Sequence, residues 1–249
     1  LIGILLAIFS FAFIPPLIVT FIYEEPLSEI FLYSFLFLIS LGSLMWFISR
    51  QKGLPLNISD GFIITTMFWV VLACAGSIPF YFFGLSFNDA IFESVSGITT
   101  TGATLIVGLD ELPKSLLLYR QLLQWIGGMG LIILAVAVMP ALGIGGSQLY
   151  KMELPGSHGN QKLTPKITDS AKALWKIYFG LTLACALLYI LSGMDLFDAI
   201  AHSLSTVAGG GFSTHDRSIG FFESSLIEAV CIIFMLLSAA SFAVHYAAI

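Results

Sequence analysis

Two short strips of small residues, Thr99-Thr100-Thr101-Gly102 and Ala208-Gly209-Gly210-Gly211, are the part of this chain best suited to holding a bare cation. A cation that leaves water needs oxygen ligands in place of its hydration shell, and a ring of backbone carbonyls supplies them. A strip presents its carbonyls inward only if its side chains leave the path open and its backbone takes unusual dihedrals. Glycine takes those dihedrals without steric cost. In the first strip a threonine hydroxyl adds a further oxygen.

The strips are not independent occurrences. Residues 89–103 read DAIFESVSGITTTGA and residues 198–212 read DAIAHSLSTVAGGGF, aligned without a gap 109 positions apart. Asp89-Ala90-Ile91 matches Asp198-Ala199-Ile200, Ser94 matches Ser203, Ser96 matches Ser205 and Gly102 matches Gly211. Each copy is a short, partly apolar stretch that runs into a strip. The stretch predicts a half-helix, starting near Asn88-Asp89 in one copy and near Asp198 in the other, with Asp as the N-cap. The serines suit close packing of these half-helices. Each C-terminal end, with its partial negative charge, then points at the strip and favours a cation there. One threonine–glycine run is weak as a signal. Two in register are strong, and the competing reading is a pair of duplicated helical hairpins with inert loops.

Long apolar segments must position these loops. The chain has 249 residues, 58% hydrophobic and 10% charged, with mean hydropathy +0.98. Soluble domains carry about 25% charged residues, so this is no ordinary soluble protein. Apolar runs cover 1–23, with Pro15-Pro16 as a kink, then 27–49, 61–83, 116–139, 173–191 and 225–246. Runs near 20 residues read as spanning helices. Each repeat lies between two of them, and non-helical backbone survives at membrane depth only where protein buries it or where it lines a cavity. The expected fold is therefore an all-α membrane protein: two leading transmembrane helices (1–56), a first helix–pore loop–helix repeat (57–142), a cytoplasmic linker (143–168) and a second, parallel repeat (169–249).

Of the 10 basic residues, Arg50, Lys52, Lys151, Lys162, Lys166, Lys172 and Lys176 fall on one side, which the positive-inside rule makes cytoplasmic. Both loops then enter from the outside. No basic cluster is dense enough for nucleic acid. Cys74, Cys185 and Cys231 sit inside apolar runs without metal-ligand spacing and read as small buried hydrophobes.

These residues resemble the TrkH/KtrB family of potassium-uptake proteins, in its TrkH branch. The resemblance rests on SGITTTGAT (96–104), on Arg120-Gln121 with the segment QWIGGMG (124–130), on STVAGGGFSTHD (205–216) and on SFAVHY (241–246). It implies a pore built like a potassium channel from four repeats, of which the third and fourth are absent from these residues. The chain then reads as the N-terminal half of a longer protein, or else two copies pair to supply four loops. It implies Thr99, Thr100, Thr101, Gly102, Ala208, Gly209, Gly210 and Gly211 as the selectivity filter, with potassium at Thr100, Thr101, Gly209 and Gly210. Potassium is then the transported ion, with no organic cofactor and no enzymatic activity. The implied partners are membrane lipid, a second copy in a homodimer, and a cytoplasmic nucleotide-binding ring of the TrkA type that would dock on 143–176. The implied location is the bacterial inner membrane. Gly209 departs from the family pattern, which has a larger residue there.

Glu93 and His202 occupy equivalent places in the two half-helices, and ionisable groups at membrane depth are functional candidates. They are expected to brace the half-helix behind the filter. Arg120 is expected to snorkel or to pair with Asp110 or Glu111. His215, Asp216 and Arg217 are expected at the outer mouth, and His245 as a packing residue. Two other functions compete with potassium uptake. A cation-coupled secondary transporter with a midplane site usually has inverted repeats, whereas here both loops enter from one side. An intramembrane serine hydrolase would use Ser213 with His202, His215 or His245, yet the usual nucleophile elbow needs glycine where His215 stands.

Overall fold

The computed structural model describes residues 2–49, 58–142 and 167–239. All regular structure among them is helical. The linker expected at 143–168 lies outside the described residues except for its last two, which open a helix. His245 and the 241–246 segment also lie outside.

The first apolar run is broken where its prolines require it. Helix α1 (Ile2–Ser10) passes through a 3₁₀ turn (Phe11–Phe13) into α2 (Ile14–Ile22), which carries Pro15 in its first turn. Pro15 and Pro16 lack N–H donors, and their rings crowd the carbonyls four residues earlier, at Phe11 and Ala12. Helix α3 (Ser28–Ile48) packs back against α1. The two meet at Gly3 and Gly42, where a Cβ on either would come within 2.6 Å of the other's carbonyl oxygen. Small residues at such crossings allow the close backbone approach that associates helices in lipid.

The next run divides at a proline too, into α4 (Ile58–Gly76) and α5 (Ile78–Phe83). The short helix α6 (Phe87–Ile98) follows, and the long helix α7 (Lys114–Leu142) completes the unit. Helix α8 (Ile167–Leu191), the short helix α9 (Leu196–Ala208) and helix α10 (Ser225–Ala239) form the second unit. Among the described residues four segments are long and apolar enough to cross a membrane: Ile2–Ile22, Ser28–Ile48, Thr66–Phe83 and Leu174–Leu191. Helix α7 has 29 residues and so runs about 43 Å. Helix α10 has 15 described residues. Cys74 corrects one expectation: it lies exposed on its helix, while Cys185 is buried.

Among the described residues three apolar clusters hold these units, the smallest joining α2, α7 and α9 through Val19, Leu118 and Phe197. One gathers the leading helices and the first unit around Tyr119, whose ring meets those of Phe13, Phe31 and Phe80. The Tyr119 hydroxyl donates to the Gly76 carbonyl at 2.7 Å, at the α4–α5 break. Another surrounds Tyr178, Tyr189 and Met129. Helix α7 reaches all three.

Candidate functional site

The half-helices begin earlier than the sequence suggests. Their N-caps are Ser86 and Asp195, again 109 apart, both with extended backbone. The Ser86 hydroxyl accepts from the Asp89 N–H, and the Asp195 carboxylate accepts from the Phe197 N–H. Asp89 and Asp198 sit one turn in. Ser and Asp rank alike as caps, and the extended backbone at 86 and 195 is what marks these two as the N-caps.

Both half-helices run parallel to α7. In α6, Glu93 lies beside Arg120, Gly97 against Leu123, and Ile98 against Gly127. In α9, the Phe197 ring lies 5.0 Å from the Lys114 ammonium, and Ala208 packs against Gly128. Both C-termini therefore converge on Gly127-Gly128. A Cβ at Gly127 would fall 1.9 Å from the Ile98 carbonyl oxygen, and one at Gly128 would fall 3.3 Å from the Ala208 backbone. Glycine at 127 is what lets the first half-helix end so close to α7.

The strips repeat one backbone path. Thr100 has φ 55° and Gly209 has φ 66°; Gly102 has φ 76° and Gly211 has φ 81°. Both pairs are 109 residues apart. Gly209 thus takes up a left-handed position that a β-branched residue occupies in the first strip, where such a φ is an outlier that strains the chain. The two strips touch: a Cβ on Gly102 would lie 1.9 Å from the Gly210 carbonyl oxygen. Thr99, Thr101, Gly209 and Gly211 are exposed, Thr100, Gly102 and Ala208 are half-buried, and Gly210 is buried. The Thr99 hydroxyl donates to the Val95 carbonyl at 2.7 Å and lies 2.8 Å from the Thr101 hydroxyl. With its own proton used, Thr99 accepts from Thr101 and leaves the Thr101 lone pairs free.

Glu93 and His202 grip the same place in each strip. One Glu93 carboxylate oxygen accepts from the Thr104 hydroxyl and from the backbone N–H groups of Leu105 (2.6 Å) and Ile106 (3.2 Å). His202 Nε2 lies 2.9 Å from the hydroxyl of Ser213, which is the counterpart of Thr104. His202 Nδ1 faces the Asp198 carbonyl at 2.8 Å, so the proton sits on Nδ1 and Nε2 accepts from Ser213. The structure thus brings Ser213 and His202 together, but Ser213 also accepts from the His215 N–H at 3.0 Å and is buried.

Arg120 corrects another expectation. It does not snorkel, nor does it pair with Asp110 or Glu111. It is fully buried behind the strips. Its Nε lies 3.6 Å from the second Glu93 oxygen, one NH2 group donates to the Thr104 hydroxyl at 2.9 Å, and the other donates to the Ser213 carbonyl at 3.2 Å. Its guanidinium stands over the Phe212 ring at 4.3 Å. One turn further along α7, the Gln124 amide oxygen accepts from the Phe212 N–H at 3.0 Å. Sequence reasoning missed this latch. The available signal was Arg120 and Gln124 spaced one turn apart inside an apolar run.

At the capped end, His215 lies between two carboxylates, with Nδ1 on Asp110 and Nε2 on Asp198 at 3.1 Å, and its ring stacks on Phe221. The hydrogen bond from His215 holds the exposed Asp110 carboxyl below its usual value. Asp216 accepts from the N–H groups of Gly108 and Leu109, both at 3.0 Å, and Arg217 pairs with Glu223 in the open. Of the residues expected at the mouth, His215 and Asp216 tie the segment after the second strip to residues 108–110, and Arg217 pairs within its own segment.

A family model described as TrkH, cation transport protein, matches residues 27–249. The chain belongs to the TrkH family. It is 51% identical to the Trk system potassium uptake protein TrkH of Vibrio parahaemolyticus, over 100% of the chain and 52% of that protein. It is 47% identical to TrkH of Escherichia coli K12, over 99% of the chain and 52% of that protein. TrkI of Halomonas elongata is 35% identical over 92% of the chain and 47% of its own length. The crystal structure of the potassium transporter TrkH from Vibrio parahaemolyticus superposes with a TM-score of 0.84 at 48% identity, covering 99% of this chain and 50% of that one. The chain spans about half the length of the curated relatives it matches. It is an all-α membrane protein with two leading helices and two parallel helix–pore loop–helix repeats.

Proposed function

We propose that this chain supplies two adjacent quarters of a potassium-uptake pore, with Thr99–Gly102 and Ala208–Gly211 as two of its filter strips and the remaining quarters coming from further repeats or a second copy. The observation that carries this is the matched backbone of the strips, with positive φ at Thr100 and Gly209 and again at Gly102 and Gly211. The strips meet at Gly102 and Gly210. On this reading two strips of one conformation, each at the C-terminal end of a half-helix, line one path with carbonyls and partial negative charge. Glu93 and His202 act as braces on this reading, since their contacts run to the strip's far end and leave the filter residues free. The names of the relatives support potassium as the ion.

The same reading assigns 1–56, 57–142 and 169–249 as leading helices and repeats, puts the basic linker in the cytoplasm of a bacterial inner membrane, and makes a homodimer with a TrkA-type nucleotide-binding ring the working assembly. Gly102→Ala and Gly211→Ala, each in the full-length protein, are expected to change the preference for potassium over sodium or to stop flux while expression persists. An unchanged preference in both variants would overturn the filter assignment. Deleting 156–161 is expected to weaken ring binding.

A further inference from the structure

Thr104 and Ser213 are counterparts in the two repeats, and a single side chain touches both. The fork of Arg120 donates to the Thr104 hydroxyl with one arm and to the Ser213 carbonyl with the other, while its Nε faces Glu93. Arg120 comes from neither loop but from α7, the helix on which both half-helices end. Among the described residues the second unit has no equivalent: α10 carries no basic residue over Ser225–Ala239. The Phe212 ring closes over the guanidinium, and Gln124 fixes the Phe212 N–H, so the end of the second strip is held to α7 at two consecutive residues. The two strips meet where Gly102 faces the Gly210 carbonyl, a contact without a side chain to set its distance.

We infer that Arg120 is the positioning residue that fixes the first strip against the second, and so sets the spacing on which ion discrimination depends. This rests on the reading of the strips as a filter. A carbonyl cage selects by the number and placement of its oxygens, and a lateral shift of one strip alters every site they share. Arginine suits the role because its planar fork reaches two acceptors at once. A lysine ammonium keeps the charge beside Glu93 but acts as a point charge and cannot span both. Arg120 is not exposed to the ion path, being wholly buried, so its effect on selectivity must pass through the strips.

The experiment uses the full-length protein in proteoliposomes with Arg120→Lys and Thr104→Val. It reads the potassium-to-sodium uptake ratio per folded protein and amide hydrogen exchange at 104–106 and 212–215. The expected result is a fall in the ratio of about tenfold or more, with faster exchange in both segments in Arg120→Lys. Unchanged ratio and unchanged exchange in the variants would overturn the inference. In Arg120→Lys, faster exchange at 104–106 alone would also overturn it, since Arg120 would then serve only its own repeat. If Arg120→Lys does not fold, Thr104→Val decides by the uptake ratio and by exchange at 104–106 alone, because it removes the hydroxyl that Arg120 and Glu93 share and leaves the Arg120 bond to Ser213 in place; an unchanged ratio there overturns the inference. Should the wild type show no potassium preference while both segments loosen in Arg120→Lys, the filter reading fails and the positioning role stands.

Discussion

Glu93 and His202 occupy the same place in two copies of one design, yet they hold the following strip by different chemistry. Glu93 is a buried carboxylate facing a buried guanidinium, and it gathers a hydroxyl and two backbone N–H groups. His202 spends one nitrogen on its own helix and one on a serine hydroxyl. The first strip is clamped by charge, and the second by hydrogen bonds and by its reach to Arg120. The strips differ in the opposite sense in their backbones. The first bears a threonine at a left-handed position, where the second has glycine. The strained strip has the stronger clamp.

The largest effects should come from testing whether the two strips are equally crowded. A Cβ on Gly102 would land 1.9 Å from the Gly210 carbonyl oxygen, whereas one on Gly211 meets nothing within 4 Å. Gly102→Ala should abolish potassium uptake, and Gly211→Ala, which carries only the cost of its φ, should reduce it less. Rubidium uptake measured side by side in the full-length protein checks the order, and equal losses would show that crowding between strips is unimportant.

Next comes the clamp itself. Glu93→Gln leaves Arg120 buried without its counter-charge, a loss of about 3–5 kcal/mol. His202→Gln gives up neutral hydrogen bonds, about 1–3 kcal/mol. Folded yield in detergent and apparent Tm should therefore fall much further for Glu93→Gln. A reversed order would mean that the ion pair contributes nothing to the folded state.

Much of this arrangement was legible in the sequence. The repeat gave the strips, their offset and the equivalence of Glu93 with His202, because gapless self-similarity preserves register. Apolar length gave the helices. What stayed hidden depends on three-dimensional approach. Ser86 and Asp195 are not distinguished as caps by side-chain type, since Asp89 and Asp198 cap equally well, and only backbone dihedrals mark them. Arg120 reads from sequence as snorkelling or pairing with Asp110 or Glu111, because a long cation near a helix end usually reaches for the interface. Its burial follows from Glu93, which is 27 positions earlier in the chain and adjacent only once α6 folds along α7. The left-handed φ of Thr100 was invisible, since a threonine gives no hint of one.

A smaller contrast follows from that φ. Gly209→Ala should cost about 1–2 kcal/mol for a side chain in the left-handed region, seen as a lower apparent Tm. Thr100→Gly removes a strain of the same kind and should not lower it. Equal destabilisation by both would contradict the matched backbones.

The smallest effect belongs to the tether between Asp110 and His215. Asp110 is exposed, and its carboxyl is held below the usual value by the hydrogen bond from His215. A lowered carboxyl contributes its part of the tether above its ordinary value and loses it only as the pH falls through the lowered one. Acidification from neutral to about pH 5, still above the ordinary Asp value near 3.9, should therefore leave the Asp110 side of the tether intact. Asp110→Asn should change the KM for potassium less than twofold, because exposed pairs are weak. Uptake assayed across that pH range checks both statements.

The most direct measurement is anomalous diffraction from crystals of the full-length protein grown with thallium or rubidium in place of potassium. If the strips are two quarters of a filter, peaks should lie along the exposed side of Thr99–Gly102 and Ala208–Gly211, within coordination distance of carbonyls from both. Ions bound elsewhere in the protein with no density along either strip would contradict that claim.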